Sequence, residues 1–173
     1  MNAQRYLVAI GSNMRVPGIG PPRAVLRRAL ETLDGAGARL IAASPVIDSV
    51  PVGPSPRRFA NAAGVFETAK LPEAFLDTLQ ALEVRFGRRR LGQRWQARPL
   101  DLDIVLWSGG EFTSRRLVVP HPLWRSRPFV TGPAARVAAN WRDPATGLTV
   151  ARIHARLTRP RPTPSAARGR VGP

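Results

Sequence analysis

The segment Leu100-Asp101-Leu102-Asp103-Ile104-Val105-Leu106-Trp107 leaves little freedom in how it can fold. Apolar and acidic residues alternate up to Ile104, and the run then becomes wholly apolar, which reads as a buried strand over 101–107. Successive strand side chains point to opposite faces, so Asp101 and Asp103 share one face while Leu100, Leu102 and Ile104 share the other. Just before the strand lies a cationic loop with Arg88, Arg89, Arg90, Arg94 and Arg98, and with Trp95 among them. Guanidinium forks match phosphate oxygens, and Mg²⁺ is held by one or two carboxylates together with substrate phosphates. Taken singly, the arginines fit a solvated basic loop and each Asp a strand-end ion pair. Together, at this spacing, they point to a site for a nucleoside triphosphate and its magnesium.

The rest of the chain supplies a frame for that strand. Tyr6 to Ile10 is a short apolar run ending at Gly11-Ser12-Asn13, a buried strand and a turn. Arg23 to Leu33 carries Val25, Leu26, Ala29, Leu30 and Leu33 at helical spacing behind Pro21-Pro22. Ala38 to Val50, rich in Ile, Val and Ala, reads as one strand with an edge position or bulge at Pro45. Phe59 to Thr68 is a further strand. A second helix starts near Pro72, a residue favoured in the first turn, and presents Phe75, Leu76, Leu79, Leu82 and Phe86. After the strand at 101–107, helical propensity is weak until Ala134 to Ala139, and Leu148 to Leu157 reads as a short strand or helix.

This order is β-α-β-β-α-β, the split βαβ arrangement of ferredoxin-like domains. The expected fold class is therefore α+β, an antiparallel sheet sandwiched by helices on both faces. In that topology Gly11 to Asn13, Ser49 to Gly53, Phe59, Asn61, the end of the second helix, the Arg loop and Asp101/Asp103 all gather at one end of the sheet.

A length of 173 residues fits one domain. Its expected span is 1–157, followed by a disordered Arg/Pro-rich tail at 158–173 with almost no apolar anchors. The formal charge of +16 rests almost wholly on arginine, with Lys70 the one lysine, and draws the eye to nucleic acid, anionic membranes or phosphorylated small molecules. There is no cysteine, which removes disulfides and thiolate metal sites. No apolar run approaches the ~20 residues that span a membrane, and the start of the chain lacks a signal-peptide core, so a cytoplasmic protein is expected. A P-loop needs a Gly-Lys-Ser/Thr step, which Lys70 after Ala69 does not provide, and the protein-kinase motifs are absent.

Several blocks together carry a resemblance. They are Ala9-Ile10-Gly11-Ser12-Asn13, Ser49-Val50-Pro51-Val52-Gly53-Pro54, Phe59-Ala60-Asn61-Ala62-Ala63, Gly87-Arg88 with Arg94-Trp95, Arg98-Pro99-Leu100-Asp101-Leu102-Asp103-Ile104, and Val119-Pro120-His121-Pro122 with Arg127 and Phe129. Over about residues 6–157 the chain resembles the 6-hydroxymethyl-7,8-dihydropterin pyrophosphokinases of the folate pathway. The resemblance implies transfer of the pyrophosphoryl group of ATP to the pterin hydroxymethyl group, with AMP as product, two Mg²⁺ ions and a monomeric enzyme. It implies that Asp101 and Asp103 hold both metals, that Arg88 and Arg98 hold the phosphate chain, and that His121 and Arg127 touch phosphates near the scissile bridge. Gln80 and Glu83 match nucleotide-side positions, and Ile104 and Arg116 positions near adenine and ribose. Phe59 and Phe129 match an aromatic sandwich around the pterin, and Asn61 the amide that reads its edge. Ser49, Val50 and Val52 match a loop facing the same ring, and Trp95 a residue of a loop that closes over both substrates.

The chain departs from the family pattern in places. Gln96-Ala97 replaces a usual Gly-Pro, Leu91 stands where a basic residue is common, Val50 replaces a proline, Phe59 a frequent tyrosine, and Pro122 a frequent aromatic. The alternative reading is a ferredoxin-like nucleic-acid-binding module. Such a module displays signature aromatics on its central strands. Here the first strand offers only Tyr6, and Asp101 and Asp103 would repel a nucleic-acid backbone.

Overall fold

The computed structural model describes residues 3–50, 58–88 and 98–160. Strand β1 (Gln4–Ser12) leads through α1 (Pro22–Asp34) to β2 (Arg39–Ala43), β3 (Ile47–Ser49) and β4 (Phe59–Thr68). Helix α2 (Pro72–Arg85) precedes β5 (Asp101–Trp107), a small hairpin of β6 (Phe112–Thr113) and β7 (Val118–Val119), and helices α3 (Pro128–Val137) and α4 (Val150–Thr158). The main sheet runs β2-β4-β1-β5, with β3 also paired to β4. Every pairing is antiparallel, and β1 and β4 are the central strands.

The β1 pattern explains the sandwich. Tyr6, Val8 and Ile10 pack with α1 and α2, while Leu7 points the other way, into a second core with Ala63, Val65, Val105, Trp124 and residues of α3 and α4. Helices therefore cover both faces. On β5, Leu102 and Ile104 belong to the first core and Val105 and Leu106 both to the second. A register shift opposite Leu7 and Val8 makes Val105 an extra residue, so the strand changes face there. Asp101 and Asp103 lie before the shift and keep their common face, opposite Leu102 and Ile104.

Two expectations are corrected and one open choice is settled. The single strand over 38–50 is two, β2 and β3, broken around Pro45. Proline has no N–H to give the ladder, and Ser44 carries the pairing across the break. Its N–H donates to the Ala63 carbonyl at 2.8 Å, and its Oγ accepts from the Ala63 N–H at 2.9 Å. Helix α3 starts at Pro128, six residues before the expected helical stretch, because proline at the first helical position sacrifices no hydrogen bond. The open choice at 148–157 resolves as a helix, α4, where Thr149 Oγ1 accepts from the Arg152 N–H at 3.3 Å. The expected tail falls almost wholly outside the described residues.

Candidate active site

The C-terminal end of α2 and the start of β5 are bound together by one acid. Glu83 follows Leu76 and Leu79 along the buried side of α2 and is only 3% exposed. Its Oε1 accepts the Leu102 N–H at 2.8 Å and also pairs with Arg88 Nη1. The same Arg88 nitrogen donates to Asp101 Oδ1 at 2.6 Å, and Arg98 Nη1 donates to Asp101 Oδ2. Arg98 is itself fixed from β1. Asn13 Oδ1 accepts the Arg98 N–H at 2.6 Å, and the Asn13 N–H donates to the Arg98 carbonyl at 3.2 Å. The Gly-Ser-Asn turn thus acts as a clamp on the stem of the Arg loop, a role that its sequence alone did not announce. Gly11 stands beside this cluster, where an added Cβ would lie 3.5 Å from Asn61 Oδ1 and 4.0 Å from Asp101 Cβ.

The electrostatics follow from burial and neighbours. Burial pushes the Glu83 carboxyl up to about 7, against the pull of the Leu102 N–H and of Arg88. Burial also raises the Asp103 pKa, the Asp101 charge adds to it, and His121, Arg127 and Arg98 oppose it. His121, Arg127 and Arg98 therefore converge on Asp103 from three separate parts of the chain.

Two cavities meet at the acid pair. The larger, about 350 Å³, is walled by Leu76, Gln80, Glu83 and Arg88 on one side, by Ser114 to Val118, His121 and Pro122 on another, and by Asp101 to Ile104 at its base. The smaller, about 60 Å³, lies between Phe59, Asn61, Phe129, Arg127, Gly11 and the same two aspartates. Asn61 Nδ2 donates to Ser49 Oγ at 2.8 Å, which pins the amide at the cavity wall.

Most of the expected site residues are thus brought together. Arg88, Asp101, Asp103, His121, Gln80, Glu83, Ile104 and Arg116 line the larger cavity, and Phe59, Asn61, Phe129 and Arg127 the smaller. Arg98 reaches both through Asp101, and Ser49 reaches its cavity through Asn61. Val50 is 72% exposed and lines neither. Val52 and Trp95 lie outside the described residues. Asn13 and Arg115 were missed. Asn13 was visible as part of a turn, and Arg115 carried no signal beyond its charge.

An α+β sandwich with two cavities sharing one pair of carboxylates, ringed by arginines, has the build of an enzyme that moves a charged group between two substrates. Residues 7–139 match the family model described as 7,8-dihydro-6-hydroxymethylpterin-pyrophosphokinase (HPPK). A 2-amino-4-hydroxy-6-hydroxymethyldihydropteridine pyrophosphokinase of Pseudomonas aeruginosa is 39% identical over 143 residues, covering 82% of this chain and 85% of the relative. One from Synechocystis is 34% identical, covering 85% of this chain and 73% of the relative. One from Bacillus subtilis is 33% identical, covering 84% of each. The crystal structure of a Plasmodium falciparum HPPK-DHPS triple mutant with SDX-DHP superposes with a TM-score of 0.64 at 11% identity. That match covers 90% of this chain and 44% of the other, and it bears on the fold alone. The chain belongs to the 7,8-dihydro-6-hydroxymethylpterin-pyrophosphokinase family.

Proposed function

We propose that the two cavities hold the two substrates of one pyrophosphoryl transfer, with ATP in the larger and 6-hydroxymethyl-7,8-dihydropterin in the smaller. The enzyme is an ATP-dependent diphosphotransferase of folate biosynthesis. The observation that carries the placement is that Asp101 and Asp103 line both cavities. A group passing from one substrate to the other crosses at that pair.

The transfer gives AMP, so the pterin hydroxymethyl oxygen attacks the β-phosphorus of ATP. The bond from that phosphorus to the oxygen bridging the α-phosphate breaks, AMP leaves with the electron pair, and the hydroxyl proton passes to solvent. Asp101 and Asp103 suit Mg²⁺. They are two carboxylates on one strand face; burial raises the Asp103 pKa and the Asp101 charge adds to it, a repulsion that a divalent cation would relieve. In this reading the pair would hold two Mg²⁺ ions, which would neutralise charge on the phosphate oxygens. Arg88 and Arg98, already paired with Asp101, steady the phosphate chain, and His121 and Arg127 add positive charge near the scissile bridge. Phe59 and Phe129 hold the flat pterin, and Asn61, pinned by Ser49, reads its edge. The same reading gives Val52 a place beside the ring and Trp95 a covering role, whereas Val50 stands apart from the smaller cavity. It also makes the protein a monomer of the cytoplasm; no described helix is long and apolar enough to cross a membrane.

The test is AMP release from ATP with Mg²⁺, with and without the pterin. Release that depends on the pterin supports the reading. Pterin-independent release, or salt-sensitive RNA retention with no AMP at all, contradicts it.

A further inference from the structure

The larger cavity has an acidic end, at Asp101 and Asp103, and a far end beyond it. Arg116 is paired with Asp77 on α2. Asp77 lies six residues before Glu83, so this pairing holds the Ser114–Arg116 turn about 9 Å along the helix from the acid that braces Asp101. Leu76 and Leu117, the chain neighbours of Asp77 and Arg116, give apolar lining there. No Phe, Tyr or Trp lines the cavity among the described residues. A nucleoside base laid there meets these aliphatic groups, and a planar side chain against its face would add to the contact. Arg115 lines the cavity at this end. Among the described residues its guanidinium has no hydrogen bond or ion pair, whereas the neighbouring Arg116 guanidinium is committed to Asp77.

We propose that Arg115 is a specificity-determining contact to the nucleoside end of ATP, the part that departs as AMP. A guanidinium is planar and weakly hydrated, stacks on aromatic faces, and offers donors to ring nitrogens or ribose oxygens. The contact stands in for an aromatic side chain in a cavity where Pro122 follows His121. It rests on the placement of ATP proposed above.

The experiment measures dissociation constants of AMP and of inorganic tripolyphosphate, each with Mg²⁺, for the full-length protein. Arg115 is exposed, so its replacement leaves the fold intact, as an unchanged thermal midpoint will verify. For Arg115→Ala the AMP constant is expected to rise about tenfold, while that of tripolyphosphate stays within about twofold. Equal weakening of both ligands would make Arg115 a phosphate contact and overturn the proposal, as would no change in either. A Gln80→Trp variant separates this failure from failure of the cavity assignment. Trp at 80 fills the larger cavity and should abolish AMP binding while leaving pterin binding intact. If AMP still binds to Gln80→Trp, the nucleotide lies elsewhere and the placement itself falls.

Discussion

The carboxyl group of Glu83 is shared between a backbone N–H of β5 and the guanidinium of Arg88, so it ties α2, β5 and Arg88 together. Its pKa is raised from 4.5 to about 7, chiefly by burial. The folded protein then keeps a proton at pH values where the unfolded chain has lost it. The resulting stability is fully present below about 4.5 and is lost as pH rises through about 7. Glu83→Gln retains an oxygen for the Leu102 N–H and removes the titration. Urea unfolding of the metal-free protein should therefore show a shallower fall in stability between pH 4.5 and 7 for the variant than for wild type. Equal slopes would assign the proton to another group. At this scale the acid pair was legible, because the period of a strand places residues two apart on one face whatever surrounds them. The bracing role of Glu83 was not. Its position on the stripe of Leu76 and Leu79 marks it as facing inward, but which donors meet it depends on the packing of β5 against α2. Arg115 was illegible for the same reason, since only the fold of the β6–β7 hairpin brings that one arginine of many to the cavity.

Helix α3 carries Phe129 into the smaller cavity and starts directly after Arg127, so its placement sets two site residues at once. The sequence concealed it. Pro128, Gly132 and Pro133 look like breakers, and only packing of Val130 and Ala134 into the second core makes the segment helical. The anchor of this region is the pair between Arg125 and Asp143, with contacts of 2.7 and 2.5 Å. Asp143 is fully buried. Burial alone would raise its pKa, yet hydrogen bonds from Arg125 and Thr146 outweigh that and hold it below the usual carboxylate range. Its contribution is therefore present above the ordinary carboxylate value and is lost as pH falls below it. Asp143→Ala strands the Arg125 charge and should cost about 2–3 kcal/mol in urea unfolding at pH 7, less than for a fully buried pair because Arg125 is partly exposed. Asp143 lines neither cavity, so kcat measured well below the midpoint should stay within about twofold of wild type. A large loss of kcat without loss of stability would show that the Arg125–Asp143 pair serves the chemistry directly.

For the whole molecule, the antiparallel sheet with helices on both faces followed from the order of periodic segments, as did the gathering of special residues at one end of the sheet. Neither the reach of the larger cavity from the acid pair to the Ser114–Arg116 turn, nor the meeting of two cavities at one strand, could be read from the order of elements. Both depend on the turn of β5 at Val105 and on the hairpin that follows it. The central claim is that the two substrates meet over Asp101 and Asp103. Asp→Asn keeps the shape of each side chain and removes its charge. The pocket built on Phe59, Asn61 and Phe129 survives the change, so the loss belongs to the chemical step. Removing one electrostatic stabiliser of a transition state costs roughly 10² to 10³ in rate. The decisive measurement is kcat for AMP formation at saturating Mg²⁺, ATP and pterin, with pterin affinity measured in parallel. Asp101→Asn and Asp103→Asn should each lose at least about a hundredfold in kcat with pterin binding retained. The double variant should be little worse than the worse single one, because the two carboxylates act as a unit. If either single variant keeps kcat within about threefold of wild type, that carboxylate is not at the crossing point and the account is contradicted.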